Sequence, residues 1–110
     1  MIEGNATAVI QIDAGHETNE IGAPVEEWQD ADTITGWLDV SEGDSKHTFN
    51  AKMQESTHIF VADYKALDKR IRPESSRVLI DDMVYDVMLI DDPMGLHEHL
   101  EIYLKYTGGQ

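Results

Sequence analysis

The chain has no cysteine. That absence excludes a disulfide framework, thiolate metal sites and a cysteine nucleophile, so the core must hold by packing alone or with help from neighbouring subunits. No apolar run approaches the roughly 18–20 residues that a membrane-spanning helix needs, and no membrane partner is expected. The opening Met1-Ile2-Glu3-Gly4-Asn5 lacks the basic start and apolar stretch of a signal peptide. An intracellular protein is therefore expected, and the sequon Asn5-Ala6-Thr7 is read as a chance match. Positive charge is scarce: 8 Lys and Arg stand against 22 Asp and Glu, a formal net charge of −14 over 110 residues. Affinity for nucleic acid comes largely from Lys and Arg neutralising phosphates, so a direct DNA or RNA binder is disfavoured. Catalytic signatures are missing too. There is no Gly-x-Ser-x-Gly elbow and no glycine-rich phosphate loop, since Gly15 and Gly22 stand alone.

What is present fits one small globular domain over residues 1–110, 41% hydrophobic and long enough for a single modest core. The acidity serves solubility through self-repulsion. It equally suits docking on basic partners, or lining a channel that DNA must pass without sticking.

The apolar residues recur with period two, which marks strands. In Thr7–Asp13, Ile10 and Ile12 share one face and Val9 takes the other. A polar, breaker-rich loop follows from Ala14 to Pro24. From Val25 to Val40 the anchors are Val25, Trp28, Ile34, Trp37, Leu38 and Val40, read as two strand segments kinked or bulged around Asp30-Ala31-Asp32. Ser41 to Ser56 is the least strand-like stretch, a long loop or a short helix with Phe49 and Met53 at i, i+4. Thr57–Tyr64 returns to strand. Lys65 to Ser76 is basic by local standards. Arg77–Ile80 and Val84–Ile90 flank Asp81-Asp82-Met83 as a tight hairpin, although Asn-Gly or Asp-Gly is the stronger turn pair. After an Asp92-Pro93-Met94-Gly95 turn, Glu98–Tyr106 closes the sheet, with Leu100, Ile102 and Leu104 on one face and Thr107–Gln110 as a frayed tail. The prediction is all-β: a small antiparallel barrel or sandwich of about six strands with one long inserted loop over about 41–56.

Three groups of residues invite chemistry. His97-Glu98-His99 would place two imidazoles on one face of a strand, where His58, His47 or a carboxylate could complete a metal site. The pair sits at a turn-to-strand edge, however, where outward polar residues are ordinary, and a solvent-facing pair is the preferred reading. Asp81-Asp82 and Asp91-Asp92 are contiguous, point to opposite faces of a strand, and are read as turn residues. Trp28 and Trp37 lie at core-like positions and are assigned to packing. Lys65, Lys69, Arg70, Arg72 and Arg77 hold five of the eight positive charges. They are read as contacts to acidic surfaces of identical or related subunits. No cofactor is expected, and no catalytic residue emerges.

Taken in order, Val9-x-Gln11-Ile12, Gly22-x-Pro24-Val25-x-x-Trp28, Trp37 to Val40, His58-x-Phe60-Val61, Asp63-Tyr64, Arg77-Val78-Leu79-Ile80, Val84-Tyr85-Asp86-Val87 and Asp92-Pro93-x-Gly95 resemble the head–tail joining family of long-tailed phages. These are the head-closure, or stopper, proteins. The resemblance implies a structural protein, not an enzyme: a small β-barrel whose copies form a ring beneath the portal and its adaptor after DNA packaging. It implies that the inserted loops project to the axis, close the channel against leakage of passing DNA and open at ejection. The lower face of the ring would receive a tail-completion or tail-terminator protein. Carried onto this chain, the channel loop is Ser41 to Ser56, including Glu42, Asp44, Lys46, His47, Phe49 and Met53. The implied location is the head–tail interface of the virion, after assembly in the host bacterial cytoplasm. The strand edges Thr7–Asp13 and Glu98–Tyr106 would be open to completion by a neighbour's backbone. Other small connector components, an adaptor or tail-completion protein, fit the same features, and a small metal-binding β-barrel using His97 and His99 is the rival of another class.

Overall fold

Alternation decides which side chains turn inward. A computed structural model describes residues 4–13, 27–40 and 56–109. It contains strands β1 (Ala6–Asp13), β2 (Trp28–Val40), β3 (His58–Asp63), β4 (Ser76–Ile80), β5 (Met83–Asp91) and β6 (His99–Gly109). All neighbours are antiparallel, and the sheet closes on itself in the order β1-β2-β3-β6-β5-β4. Closure leaves β1 paired on both sides, with β2 and β4, and β6 paired with β3 and β5. The expectation that these two strands offer free edges is therefore corrected: a barrel satisfies its edges internally.

The inward positions are Ala8, Ile10, Ile34, Phe60, Ala62, Val78, Ile80, Tyr85, Val87, Leu100, Ile102 and Leu104, all buried in one cluster. Leu67 and Ile71, from the connection between β3 and β4, pack against it. Gly36 is where the wall closes most tightly. A Cβ there would stand 2.3 Å from the Val61 carbonyl oxygen and 3.0 Å from the Phe60 ring.

Three irregularities curve the sheet. Ile10 and Gln11 face Asp32 and Asp30, so Ala31 is an extra residue in β2. Met88 is likewise extra in β5, and Thr107 in β6. Such bulges add local twist, which lets a short sheet close. The kink expected at Asp30-Ala31-Asp32 is this first bulge, but β2 runs through it as one strand instead of two segments. The frayed tail is also corrected, because β6 continues to Gly109, where Gly108 and Gly109 pair with Val84 and Met83. At the β4–β5 turn, Asp81 and Asp82 both have positive φ, 49° and 64°. That is the left-handed pair of a type I′ hairpin turn, reached here without glycine.

The two tryptophans are not in the core. Trp37 faces outward and is 49% exposed, while Gly36 and Leu38 on either side of it turn in. Val40 shares the inward parity but lies past the barrel rim, at 68% exposure. Trp28 faces out, half-buried, under the guanidinium of Arg77 at 4.3 Å from the ring centroid.

Candidate functional site

The barrel has two ends. One carries Val40, Ser56, the Asp81-Asp82 hairpin and the end of β6. The other carries Asp13, Trp28, the β3–β4 connection and the β5–β6 turn. The proposed channel-loop residues Glu42, Asp44, Lys46, His47, Phe49 and Met53 lie outside the described residues, as does the Ala14–Pro24 loop. Val40 and Ser56, which bracket residues 41–55, lie at the same end, and Val40 is registered opposite His58.

That rim is aromatic. His58 packs edge-on to Tyr85 with centroids 5.1 Å apart, Tyr85 packs on Tyr106 at 5.6 Å, and the Tyr106 hydroxyl donates to the Met83 sulfur. Burial, with the nearby Tyr106 and Asp81, raises the Tyr85 phenol above its usual range. The Thr57 hydroxyl accepts the Tyr106 N–H at 2.7 Å, ordering β6 beyond the point where β3 ends.

At the other end, the basic stretch is tied down within its own chain. Lys65 pairs with Asp32 and donates to the Thr33 carbonyl oxygen at 3.1 Å. The Asp68 backbone N–H donates to the second Asp32 oxygen at 3.0 Å. Burial alone would raise the Asp32 carboxyl, but the Lys65 ammonium and the N–H groups of Asp68 and Thr33 outweigh it and hold the group below its ordinary range. Arg70 forks onto Asp68 with bonds of 3.1 and 2.9 Å and holds that carboxyl at about 2. Arg77 donates from Nε to the Gln11 side chain at 2.8 Å, and Gln11 donates in turn to Asp30 at 2.7 Å. Lys69 and Arg72 are exposed. Among the described residues their side chains have no partner.

The histidine pair divides. His97 is in a turn with φ of 57°, stacked against Tyr64 at 4.4 Å and bonded to Asp92. His99 is in β6 and bonds Glu101 at 3.0 Å. Each imidazole thus has its own carboxylate. Among the described residues no group of three or more His, Asp or Glu is placed to hold a metal. Asp92 also accepts the His97 backbone N–H at 2.9 Å, the local bonding expected of a turn aspartate. Beside it Met94 is 91% and Leu96 58% exposed. A shallow groove of about 290 Å³ runs between Trp28, Pro73–Ser76 and Asp86–Met88.

Two outer faces carry more than solubility requires, and only the register exposes them. On β3, β6 and β5 the outward residues Ile59, Tyr103 and Leu89 are cross-strand neighbours, as are Val61, Glu101 and Asp91, with Trp37 beside Val61. The Tyr103 hydroxyl donates to Glu101 at 2.9 Å; burial first, and then that carboxylate, push its phenol up to about 12. On β1, β4 and β5 the outward rows are Val9, Leu79 and Val84, then Gln11, Arg77 and Asp86. Of the five cations expected at contacts, Arg77 alone stands in this ladder.

What the geometry defines is a small all-β closed barrel, and among the described residues exposed apolar and charged groups lie on its faces and ends. Residues 4–105 match the family described as phage head completion protein, and the chain belongs to that family. No curated protein matches the chain. Membership makes it a structural component of a bacteriophage virion that acts in completing the head, in a family that is not a known enzyme class. Among the described residues no helix is long and apolar enough to cross a membrane.

Proposed function

We propose that copies of this chain form a ring beneath the portal-bound adaptor, close the DNA channel after packaging and present the surface on which the tail docks. The observation that carries this reading is the family match across residues 4–105. The barrel and its insertion over 41–56 act as one head-closure unit, with Glu42, Asp44, Lys46, His47, Phe49 and Met53 directed to the channel. The net charge of −14 supports this role, since a negative wall repels DNA and lets it slide. Lys69 and Arg72, exposed at the end opposite Val40, are the cations of the basic stretch best placed for a neighbouring protein, while Lys65 and Arg70 are engaged within the chain. The partners are the same chain, the adaptor above and a tail-completion or tail-terminator protein below, at the head–tail interface of virions assembled in the bacterial cytoplasm.

Electron microscopy of lysates from the parent phage lacking this gene tests the reading. Separate tails beside heads that have lost their DNA, restored to tailed particles by the purified protein, are expected. DNA-filled, tailed particles without the protein would overturn it.

A further inference from the structure

We infer that the ring is built front to back, the β3–β6 face of one barrel seated on the β1–β4 face of the next copy. This deepens the proposed ring and rests on it.

In the closed order β1-β2-β3-β6-β5-β4, β3 lies three places from β4, and β6 three places from β1. The two faces are therefore on opposite sides of the barrel. Each carries an apolar row where an outer barrel surface in water would alternate to polar residues. On the front this is Ile59 and Tyr103; on the back it is Val9 and Leu79, and β5 between the two faces adds Leu89 beside the first and Val84 beside the second.

Charge chooses the occupant. Next to the front apolar row stand Glu101 and Asp91, and next to the back one stands Arg77. Arg77 is held in place by Gln11 and Trp28 through its Nε and its planar face. Among the described residues its terminal nitrogens have no acceptor. Asp86, across from Arg77, is the carboxylate on that side.

The order along the barrel axis is the same on both faces. Ile59 lies nearer the hairpin end than Val61, and Leu79 nearer it than Arg77. Copies laid side by side with parallel axes then bring apolar row onto apolar row and Arg77 toward Glu101 and Asp91. A two-fold pairing of the front face with itself would instead oppose the like charges of Glu101 and Asp91. Heterologous contacts between parallel copies generate rings when the rotation closes.

The absence of cysteine makes this directly readable. Phage lacking the gene is complemented with the double variant Ile59→Cys, Leu79→Cys, and purified particles are treated with a short bis-maleimide. A ladder of dimer, trimer and larger species is expected, with each single variant remaining monomeric on the gel. Dimers from a single variant would show a two-fold contact and overturn the inference. Rescued particles with no cross-linked product would also overturn it, while leaving the head-closure reading intact. Only tailed, DNA-filled particles without the protein would sink that reading.

A charge exchange covers the case in which the cysteine pair does not fold. Arg77→Glu is expected to lower rescue by about tenfold or more, and Glu101→Arg in the same chain to restore it. Undiminished rescue by Arg77→Glu, or no restoration by the exchange, would count against the front-to-back contact.

Discussion

Asp32 shows how much one inward-parity carboxylate can organise. It lies where β3 no longer pairs with β2, and it gathers the Lys65 ammonium and the Asp68 N–H onto the strand. The connection that carries Leu67 and Ile71 against the core is thereby fastened to the wall. Its folded pKa is depressed. The stabilisation is therefore complete above the unfolded value of about 3.9 and is lost as pH falls through the lower folded value. Asp32→Asn is expected to cost on the order of 1 kcal/mol at pH 7 and to flatten the fall in stability below about pH 4. Urea unfolding from pH 7 down to pH 2 checks both, and an unchanged acid limb would remove Asp32 from that role. The same scale explains why the tryptophans lie outside the core that their strand positions suggest. Trp37 and Leu38 are adjacent, so one of them must face out, and strand alternation does not say which. Gly36, whose hydrogen lets the wall close on Val61 and Phe60, marks the inward parity, but that signal is visible only once the neighbouring strand is in place.

Among the elements, the β4–β5 hairpin was the most legible, because its length narrows its geometry. The type I′ turn, one of the two favoured two-residue connections, has positive φ at both residues, and Asp81 and Asp82 adopt it at 49° and 64°. Aspartate tolerates this region better than most residues, yet pays for its Cβ there, and the two neighbouring carboxylates repel. Asp81→Asn with Asp82→Gly is expected to raise the unfolding free energy by about 1 kcal/mol, read as a shifted denaturation midpoint at constant slope. A loss of stability would mean that the turn carboxylates make a contribution the backbone does not reveal. Strand positions along β1 and β6 were legible for a similar reason: Ile10 and Ile12, and Leu100, Ile102 and Leu104, alternate cleanly and are all buried. Which strand would close the barrel was not legible, since nothing local in Thr7–Asp13 says that β4, some 65 residues later, will cover its second edge. The outer faces were hidden for the same reason. Ile59, Tyr103 and Leu89 are scattered in sequence and become one row only through the β3–β6–β5 register.

For the whole molecule, the question is how a chain with a net charge of −14 serves a particle filled with DNA. The barrel closes on itself, and Val40 and Ser56, which bracket residues 41–55, lie at one rim, with Val40 registered opposite His58. Because those two strand ends are already neighbours, residues 42–55 can be replaced by a short Gly-Ser linker without pulling the wall apart. The shortened protein is expected to fold, with a cooperative transition close to that of the parent, and to join heads to tails. The change should fall on retention. Heads completed with it should lose packaged DNA, so that the DNA-filled fraction by electron microscopy and the nuclease-protected DNA per particle both drop. Fold and docking would then reside in the barrel, and the seal in the segment it carries. Heads that hold their DNA as well as before would take the seal away from this segment and assign it to the packed barrels themselves.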